Sequence, residues 1–135
     1  MDERRSAYRM CGVSLSYYDQ ANQLSQIKQE RPDLGEVFSQ VLQDVLRRVD
    51  KAFKGFFSRL KAGVKPGFPR FLSRGRYASF TYPQAGWSLK NDRLTLSKIG
   101  TLKVKLHRQV IGKVKTCRRY QTGRPQVVCS LCGRI

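Results

Sequence analysis

The sequence has few acidic residues, and its later part has almost none. Only 9 of the 135 residues are Asp or Glu, against 27 Lys or Arg. Residues 1–46 hold 5 basic and 7 acidic residues, a net charge of −2, whereas residues 47–135 hold 22 and 2, a net charge of +20. Such a one-sided charge repels itself unless a polyanion neutralises it, so the sequence predicts a nucleic-acid partner. An anionic membrane surface is the competing interpretation. It is weaker, because the apolar stripe of the predicted helix is wide enough to face a core, so no membrane partner is predicted.

The shortage of acids also argues against a metal-dependent nuclease. Such an enzyme holds its ions with several converging carboxylates. From position 50 onward the only acids are Asp50 and Asp92, and the earlier ones are spread over predicted helices and caps. The single histidine, His107, has no catalytic motif beside it, and a surface or phosphate contact is favoured for it. The sequence therefore predicts a chain that is not an enzyme, with no catalytic residue, no cofactor and no small-molecule substrate.

Long apolar runs and an export signal are missing as well. No run approaches the roughly 18 apolar residues of a membrane span, and the charged start has no apolar core typical of a signal peptide. Four cysteines without an export signal favour reduced thiols and a cytoplasmic location. Cys129 and Cys132 form half a zinc knuckle. They supply two of the four ligands that zinc requires. Cys117 could supply a third, but no nearby His completes the set.

What the sequence does contain is a long amphipathic segment from residue 36 onward. Apolar residues recur in it at spacings of three and four, which predicts an α-helix of about six turns with one continuous apolar face. The apolar positions are Phe38, Val41, Leu42, Val45, Leu46, Val49, Phe53, Phe56, Phe57 and Leu60. The other face carries Arg47, Arg48, Lys51, Lys54, Arg59 and Lys61.

A basic and aromatic loop follows this helix. Residues 47–76 hold ten Lys/Arg and one acid, interleaved with phenylalanines, and such a mixture can neutralise phosphates and stack on bases. The helix phenylalanines continue the apolar stripe, so a core position is favoured for them. In the loop, the phosphate or base-edge candidates are Lys65, Arg70, Arg74 and Arg76, and the stacking candidates are Phe68, Phe71 and Tyr77. Lys103 and Lys105 join them on one face of an alternating segment.

Turn and cap residues divide the rest of the chain. They predict a helix over residues 2–10 closed at Gly12, a second helix capped by Ser14 or Ser16, and a stop at Pro32. Strands are predicted over residues 78–82, 87–89, 93–96 and 102–106, with a hairpin turn at Asn91-Asp92. The predicted fold is therefore α+β: a helical region over residues 1–62 and a small, partly open β-barrel over residues 63–116, followed by a tail over residues 117–135.

Several stretches of the chain resemble the amino-terminal part of the TnpB (OrfB) transposon-encoded proteins. In order, they are residues 14–20 (SLSYYDQ), 38–53 (FSQVLQDVLRRVDKAF), 65–71 (KPGFPRF), 79–83 (SFTYP) and 96–100 (LSKIG). The resemblance covers residues 5–116. The family carries the name transposase and comprises RNA-guided DNA endonucleases related to the compact CRISPR effectors.

The resemblance implies a helical recognition region and a β-barrel wedge that hold a guide RNA and help to read target-adjacent DNA. In the family, a carboxyl-terminal RuvC-like nuclease does the cutting. Two departures from the pattern are a shortened start and the loss of resemblance after Thr116. A one-base shift in the reading frame of residues 126–132 gives Arg-Trp-Tyr-Val-Leu-Phe-Val, the character of the family's next strand, so a frameshifted tail is one hypothesis. Half of the family's zinc finger after an internal deletion is the other.

Three functions stay open at this point. The first is a truncated nucleic-acid-binding remnant whose partners are guide RNA and DNA. The second is a DNA-binding subunit that acts with a separate catalytic chain. The third is the non-functional product of a decayed gene.

Overall fold

The computed structural model describes residues 1–70, 76, 79–107, 113–121 and 127–134, of which 113, 120, 121 and 127–134 are described by their backbone alone. Within these ranges there are four helices and six strands. The helices are α1 (Asp2–Cys11), α2 (Tyr17–Glu30), α3 (Pro32–Gly35) and α4 (Ser39–Lys61). The strands are β1 (Ser79–Tyr82), β2 (Trp87–Lys90), β3 (Arg93–Leu96), β4 (Gly100–Lys103), β5 (Lys113–Gln121) and β6 (Val127–Arg134).

The helix boundaries follow the cap residues in the sequence. Gly12 closes α1 in the left-handed conformation at φ 66°, where its N–H donates to the Tyr8 carbonyl at 3.0 Å. Of the two serines proposed as the cap of α2, Ser16 is the one used. Its hydroxyl accepts from the Asp19 N–H at 3.4 Å while its own N–H donates to Asp19 Oδ2 at 2.8 Å, a reciprocal capping box. The predicted end of α1 and the predicted start of α2 are thereby confirmed.

The long helix begins later than its apolar pattern suggested. Residues 32–35 form the separate helix α3, and α4 starts at Ser39 rather than at residue 36 or 37. Residues 36–38, which the apolar pattern placed in the long helix, therefore lie between α3 and α4. From Ser39 the helix is assigned without interruption through Gly55 to Lys61.

The strands form two antiparallel three-stranded sheets, one in the order β1-β5-β6 and the other in the order β2-β3-β4. Asn91 and Asp92 join β2 to β3 with φ values of 46° and 58°, the left-handed pair that a two-residue hairpin turn requires. β4 ends at Lys103 rather than at residue 106, because Lys103 faces Arg93, the first residue of β3. β5 and β6 were not predicted as strands, although they pair along most of their length.

The described contacts divide the chain into two compact units. The first unit comprises Met1–Leu34 and Val45–Phe71, and the second comprises Gly35–Asp44 and Leu72–Ile135. In the second unit, the buried apolar residues are Val41, Tyr82, Leu94, Leu96 and Cys117. The Tyr82 hydroxyl donates to the Ser97 carbonyl at 2.7 Å, so this buried phenol has a hydrogen-bond partner.

The ring of Phe38 stacks on Tyr82 with centroids 5.5 Å apart, and Gly86 approaches the Cδ1, Cε1 and Cζ atoms of this ring. A Cβ at Gly86 would overlap the Phe38 ring, with 2.6 Å to Cζ, and Gly86 has φ +84°. Both the close approach and the positive φ require glycine here.

The α+β fold class is confirmed. The described strands form two separate sheets, and closure into a barrel is not seen among them, so the barrel stays a prediction. The division of the chain at residues 62 and 116 also stays a prediction.

Candidate nucleic-acid interface

The basic residues of α4 fall on two parts of its surface. At about 100° per residue, Arg47, Lys51, Lys54 and Lys61 lie within about 80° of one another, whereas Arg48 and Arg59 lie about 100° to one side of Arg47. All except the half-buried Arg48 are exposed. Helical spacing therefore concentrates the first four cations on the side of α4 opposite its apolar stripe, as the sequence predicted. Arg48 and Arg59 lie instead at the edge of that stripe, so the prediction that they share the opposite face is wrong.

These cations differ in what they contact. The Arg47 guanidinium lies over the Tyr17 ring at 5.6 Å, and Lys54 Nζ lies 2.8 Å from Asp50 Oδ2. Lys51 and Lys61 have no hydrogen bond or ion pair to any residue that the structure describes. Their charge is accordingly available to a ligand, whereas that of Lys54 is partly neutralised within the helix.

The apolar stripe of α4 is not buried along its whole length. Phe53 and Phe56 are half-buried, but 52% of Phe57 and 55% of Leu60 are exposed. The prediction that the helix phenylalanines are core residues is therefore wrong for Phe57. Among the described residues of the first unit, the contacts to this part of the helix come from α1, α2 and Phe68, and they leave its last turns exposed.

In the loop after α4, Lys65 and Arg70 are exposed. Phe68 packs against the helix and is also partly open to solvent. The Phe68 ring packs edge-on against Phe53 and Phe56 at centroid distances of 5.9 and 5.4 Å, yet 50% of it remains exposed. The Arg5 guanidinium lies 6.0 Å from its centroid. The ring is thus held in place with one part open, a geometry suited to stacking.

A cavity of about 770 Å³ opens beside this ring in the first unit. Its wall is mainly aromatic and apolar, with three arginines. The lining residues are Arg4, Arg5, Tyr8, Arg9, Ser14, Leu15, Phe53, Phe56, Phe57 and Phe68. Its size is within the range of ligand pockets.

Sequence reasoning missed the buried cation in this unit. Arg4 is 9% exposed, donates from Nε to Gln20 Oε1 at 2.7 Å and from Nη1 to Asp50 Oδ1 at 3.1 Å, and lies 5.6 Å over the Phe53 ring. Gln20 in turn donates to Glu3 Oε2 at 2.7 Å. The Nη2 atom of Arg4 has no hydrogen-bond partner among the described residues. These contacts tie α1 and α2 to α4 and so fix the helix that presents the basic face.

The electrostatics of this network centre on Asp50. The hydrogen bond from Lys54, with a further one from Arg4, holds the pKa of this carboxyl below its ordinary value of 3.8 in spite of its burial. Asp50 is therefore ionised at neutral pH and serves as a structural counter-ion. One of the two acids from position 50 onward therefore has a structural role in this network.

A second basic surface lies in the second unit, on the sheet β2-β3-β4. Lys103 is exposed there, as predicted, and so are Lys90 and Arg93, which the sequence analysis missed. The three occupy one row across the sheet, since Lys90 pairs with Arg93 and Arg93 pairs with Lys103. The signal was present in the sequence: a basic residue stands on each side of the Asn91-Asp92 turn.

The remaining predicted residues are dispersed. Lys105 and His107 are exposed after β4, and Arg76 is exposed. Phe71, Arg74 and Tyr77 lie outside the described residues. Cys129 and Cys132 belong to β6, where only the backbone is described. Where side chains are described, no three His, Cys, Asp or Glu residues cluster closely enough to hold a metal ion.

Cys11 is exposed and Cys117 is buried, and neither forms a disulfide with another described cysteine. Among the helices of the described ranges, none is long and apolar enough to cross a membrane.

Comparison with known proteins relates the chain to one class. It is 42% identical over 79 residues to an Escherichia coli K12 protein named "Putative RNA-guided DNA endonuclease InsQ", a match that covers 57% of this chain and 18% of that protein. It is 30% identical over 98 residues to a Streptomyces pristinaespiralis protein named "Putative RNA-guided DNA endonuclease", covering 72% of this chain and 21% of that protein. No family model matches the chain. The chain spans about a fifth of the length of these curated relatives.

Proposed function

Because the chain is related to RNA-guided DNA endonucleases, as its resemblance to the TnpB proteins predicted, we propose that it is a nucleic-acid-binding part of such a protein. In this proposal it binds a guide RNA and target-adjacent DNA through its basic surfaces, acts in the cytoplasm, and does not itself cut. Residues 1–62 act as the recognition region and residues 63–116 as a wedge built on a partly open β-barrel.

The observation that carries the proposal is the arrangement of charge on α4. Exposed cations occupy the face opposite the apolar stripe, and Lys51 and Lys61 have no anionic partner among the described residues. Asp50, which directly precedes Lys51 in α4, is already engaged by Arg4 and Lys54. A surface with uncompensated cations gains binding free energy when phosphates replace its counter-ions.

The relatives support a binding role rather than a catalytic one. They are named as endonucleases, but this chain corresponds to only about a fifth of each. Nuclease chemistry with metal ions needs converging carboxylates, and where side chains are described no three potential ligands converge. Of the acids, Asp19 lies in a cap, Asp33 beside Arg31, and Asp50 beside Arg4. We therefore assign cutting to other parts of such a protein.

Salt-dependent binding tests the proposal. The full chain is titrated into fluorescein-labelled single-stranded RNA between 50 and 200 mM salt, and the affinity is read by fluorescence anisotropy. We expect the logarithm of affinity to fall linearly with the logarithm of salt concentration, by about 0.7 for each phosphate contacted. Affinity that does not change with salt would refute the proposal.

A matched pair of variants locates the surface. Lys51→Gln/Lys61→Gln removes two charges from the exposed face of α4, and we expect the salt slope to fall by about 1.4, at about 0.7 per contact. Lys28→Gln/Arg31→Gln removes two charges near the end of α2 and should leave the slope unchanged. Equal effects of the two double variants would show that only net charge matters, contrary to the proposed role of α4.

A further inference from the structure

The sheet β2-β3-β4 has one buried and one exposed face. Leu94 and Leu96 are each 1% exposed and pack into the core, with the half-buried Trp87 against it. The alternate positions are all exposed. We call them the outer face of the sheet: Ser88, Lys90, Arg93, Thr95, Thr101 and Lys103.

Strand register sorts the outer face into two rows. Lys90, Arg93 and Lys103 are aligned across the three strands, and so are Ser88, Thr95 and Thr101. Neighbouring strands lie about 4.8 Å apart, so each row spans roughly 10 Å. One row is entirely cationic and the adjacent row consists entirely of hydroxyls.

The cationic row costs stability when nothing is bound. Like charges that lie directly opposite each other on paired strands repel. No ion pair joins Lys90, Arg93 or Lys103 to a carboxylate among the described residues. A run of phosphates removes this repulsion, which makes a sugar–phosphate backbone the ligand that fits the row.

The hydroxyl row specifies which backbone. Thr95 Oγ1 and Thr101 Oγ1 are 3.1 Å apart, and either can donate, so the pair keeps both donor and acceptor capacity toward a ligand. The 2′-hydroxyl of ribose also donates and accepts, and deoxyribose lacks it. Trp87 pairs with Leu96 on the buried side, so the outer face has no aromatic ring for base stacking.

We propose that the outer face binds the sugar–phosphate backbone of RNA in preference to DNA, with the cationic row on phosphates and the hydroxyl row on 2′-hydroxyl groups. The proposal rests on the proposed function and adds the location and the choice of RNA over DNA. It also predicts that this contact is independent of base sequence.

The test compares RNA and DNA oligonucleotides of one single-stranded sequence, bound to the full chain in the anisotropy assay. We expect RNA to bind about tenfold more tightly, as two net hydrogen bonds would give. Thr95→Val/Thr101→Val should reduce this preference to within about twofold by weakening RNA binding alone. Thr95→Ser/Thr101→Ser, which keeps both hydroxyls, should retain it.

A second variant tests the cationic row. Lys90→Gln/Arg93→Gln/Lys103→Gln should lower the salt slope for RNA by about 2, at about 0.7 per phosphate contact. An unchanged slope, with the parent chain still binding in a salt-dependent manner, would overturn this inference and leave the proposed function standing. Equal losses for RNA and DNA in the valine variant would overturn the role of the hydroxyl row. Salt-independent binding by the parent chain would overturn the proposed function itself.

Discussion

Replacement of Asp50 by alanine should destabilise the first unit far more than loss of an exposed partner elsewhere. Asp50 and Arg4 are 18% and 9% exposed, whereas Asp33 and Arg31, an exposed Arg–Asp pair, are 59% and 65% exposed. In Asp50→Ala, Nη1 of Arg4 loses its acceptor while Nη2 has none among the described residues. Among the described residues, the buried guanidinium then keeps one hydrogen bond, to Gln20, and its position over the Phe53 ring.

The magnitude follows from these contacts. Breaking a hydrogen bond to a charged group costs about 1.5–3 kcal/mol, and a buried ion left without its counter-ion costs about 3–5 kcal/mol in all. The loss of the Lys54 contact at i,i+4 adds about 0.3–0.5 kcal/mol. Because Asp50 is not fully buried, we expect about 3 kcal/mol for Asp50→Ala. The loss for Asp33→Ala should be clearly smaller, since water screens this exposed pair.

Urea unfolding followed by circular dichroism at 222 nm measures this difference, since the helical signal comes mainly from α1, α2 and α4. Free energies of unfolding for the two variants that agree within about 0.5 kcal/mol would refute the reasoning. If Asp50→Ala does not fold, the double variant Arg4→Met/Asp50→Leu gives the answer. Replacing a buried pair by apolar residues is often neutral or stabilising, so this variant should recover most of the stability, and failure to recover it would contradict the assignment.

Three other perturbations test local features. Ser16→Ala removes the hydroxyl that accepts from Asp19, and should cost about 1 kcal/mol in urea unfolding, with a loss below about 0.3 kcal/mol contradicting the cap. Because the pKa of Asp50 is lowered in the folded state, its contribution to the free energy of unfolding is complete above pH 3.8 and is lost as the pH falls through the folded-state pKa. The difference in unfolding free energy between the parent chain and Asp50→Asn should therefore shrink below pH 3.8, as measured by acid unfolding. A difference that stays constant would contradict this role of Asp50. Gly86→Ala should cost about 2–4 kcal/mol and distinctly less in a Phe38→Ala background, where the overlapping ring is absent; equal costs would show that φ alone matters.

Local signals carried most of the secondary structure. A glycine at position 12 and an Asn-Asp turn each act within four residues, so the sequence alone locates them. The sequence narrows the cap of α2 to Ser14 or Ser16, and the structure selects Ser16. The extents of α4 and β4 depend instead on partners distant in sequence. β4 ends at Lys103 because its partner Arg93 is the first residue of the facing strand β3. Residues 104–106 themselves carry no signal of this boundary.

The candidate interface was predictable in part for the same reason. Helical periodicity located the exposed cations of α4, because a period of 3.6 residues is a local property. The row of Lys90, Arg93 and Lys103 needs strand register, which only pairing fixes. The buried position of Arg4 needs contacts to residues 20 and 50, and by composition a charged residue near a terminus is expected at the surface.

The division of the chain between its two units has a consequence for synthesis on the ribosome. The first unit is complete once Phe71 has emerged, since it uses only Met1–Leu34 and Val45–Phe71. The second unit takes Gly35–Asp44 from within that span, and its core joins Val41 to Cys117. The ring of Phe38 therefore lacks Tyr82 until 44 later residues have been added (82 − 38), and the core around Val41 is complete only when Cys117 follows, 76 residues after it (117 − 41). During that interval these apolar side chains lack their core partners, and we expect the nascent segment to be open to chaperones and proteases.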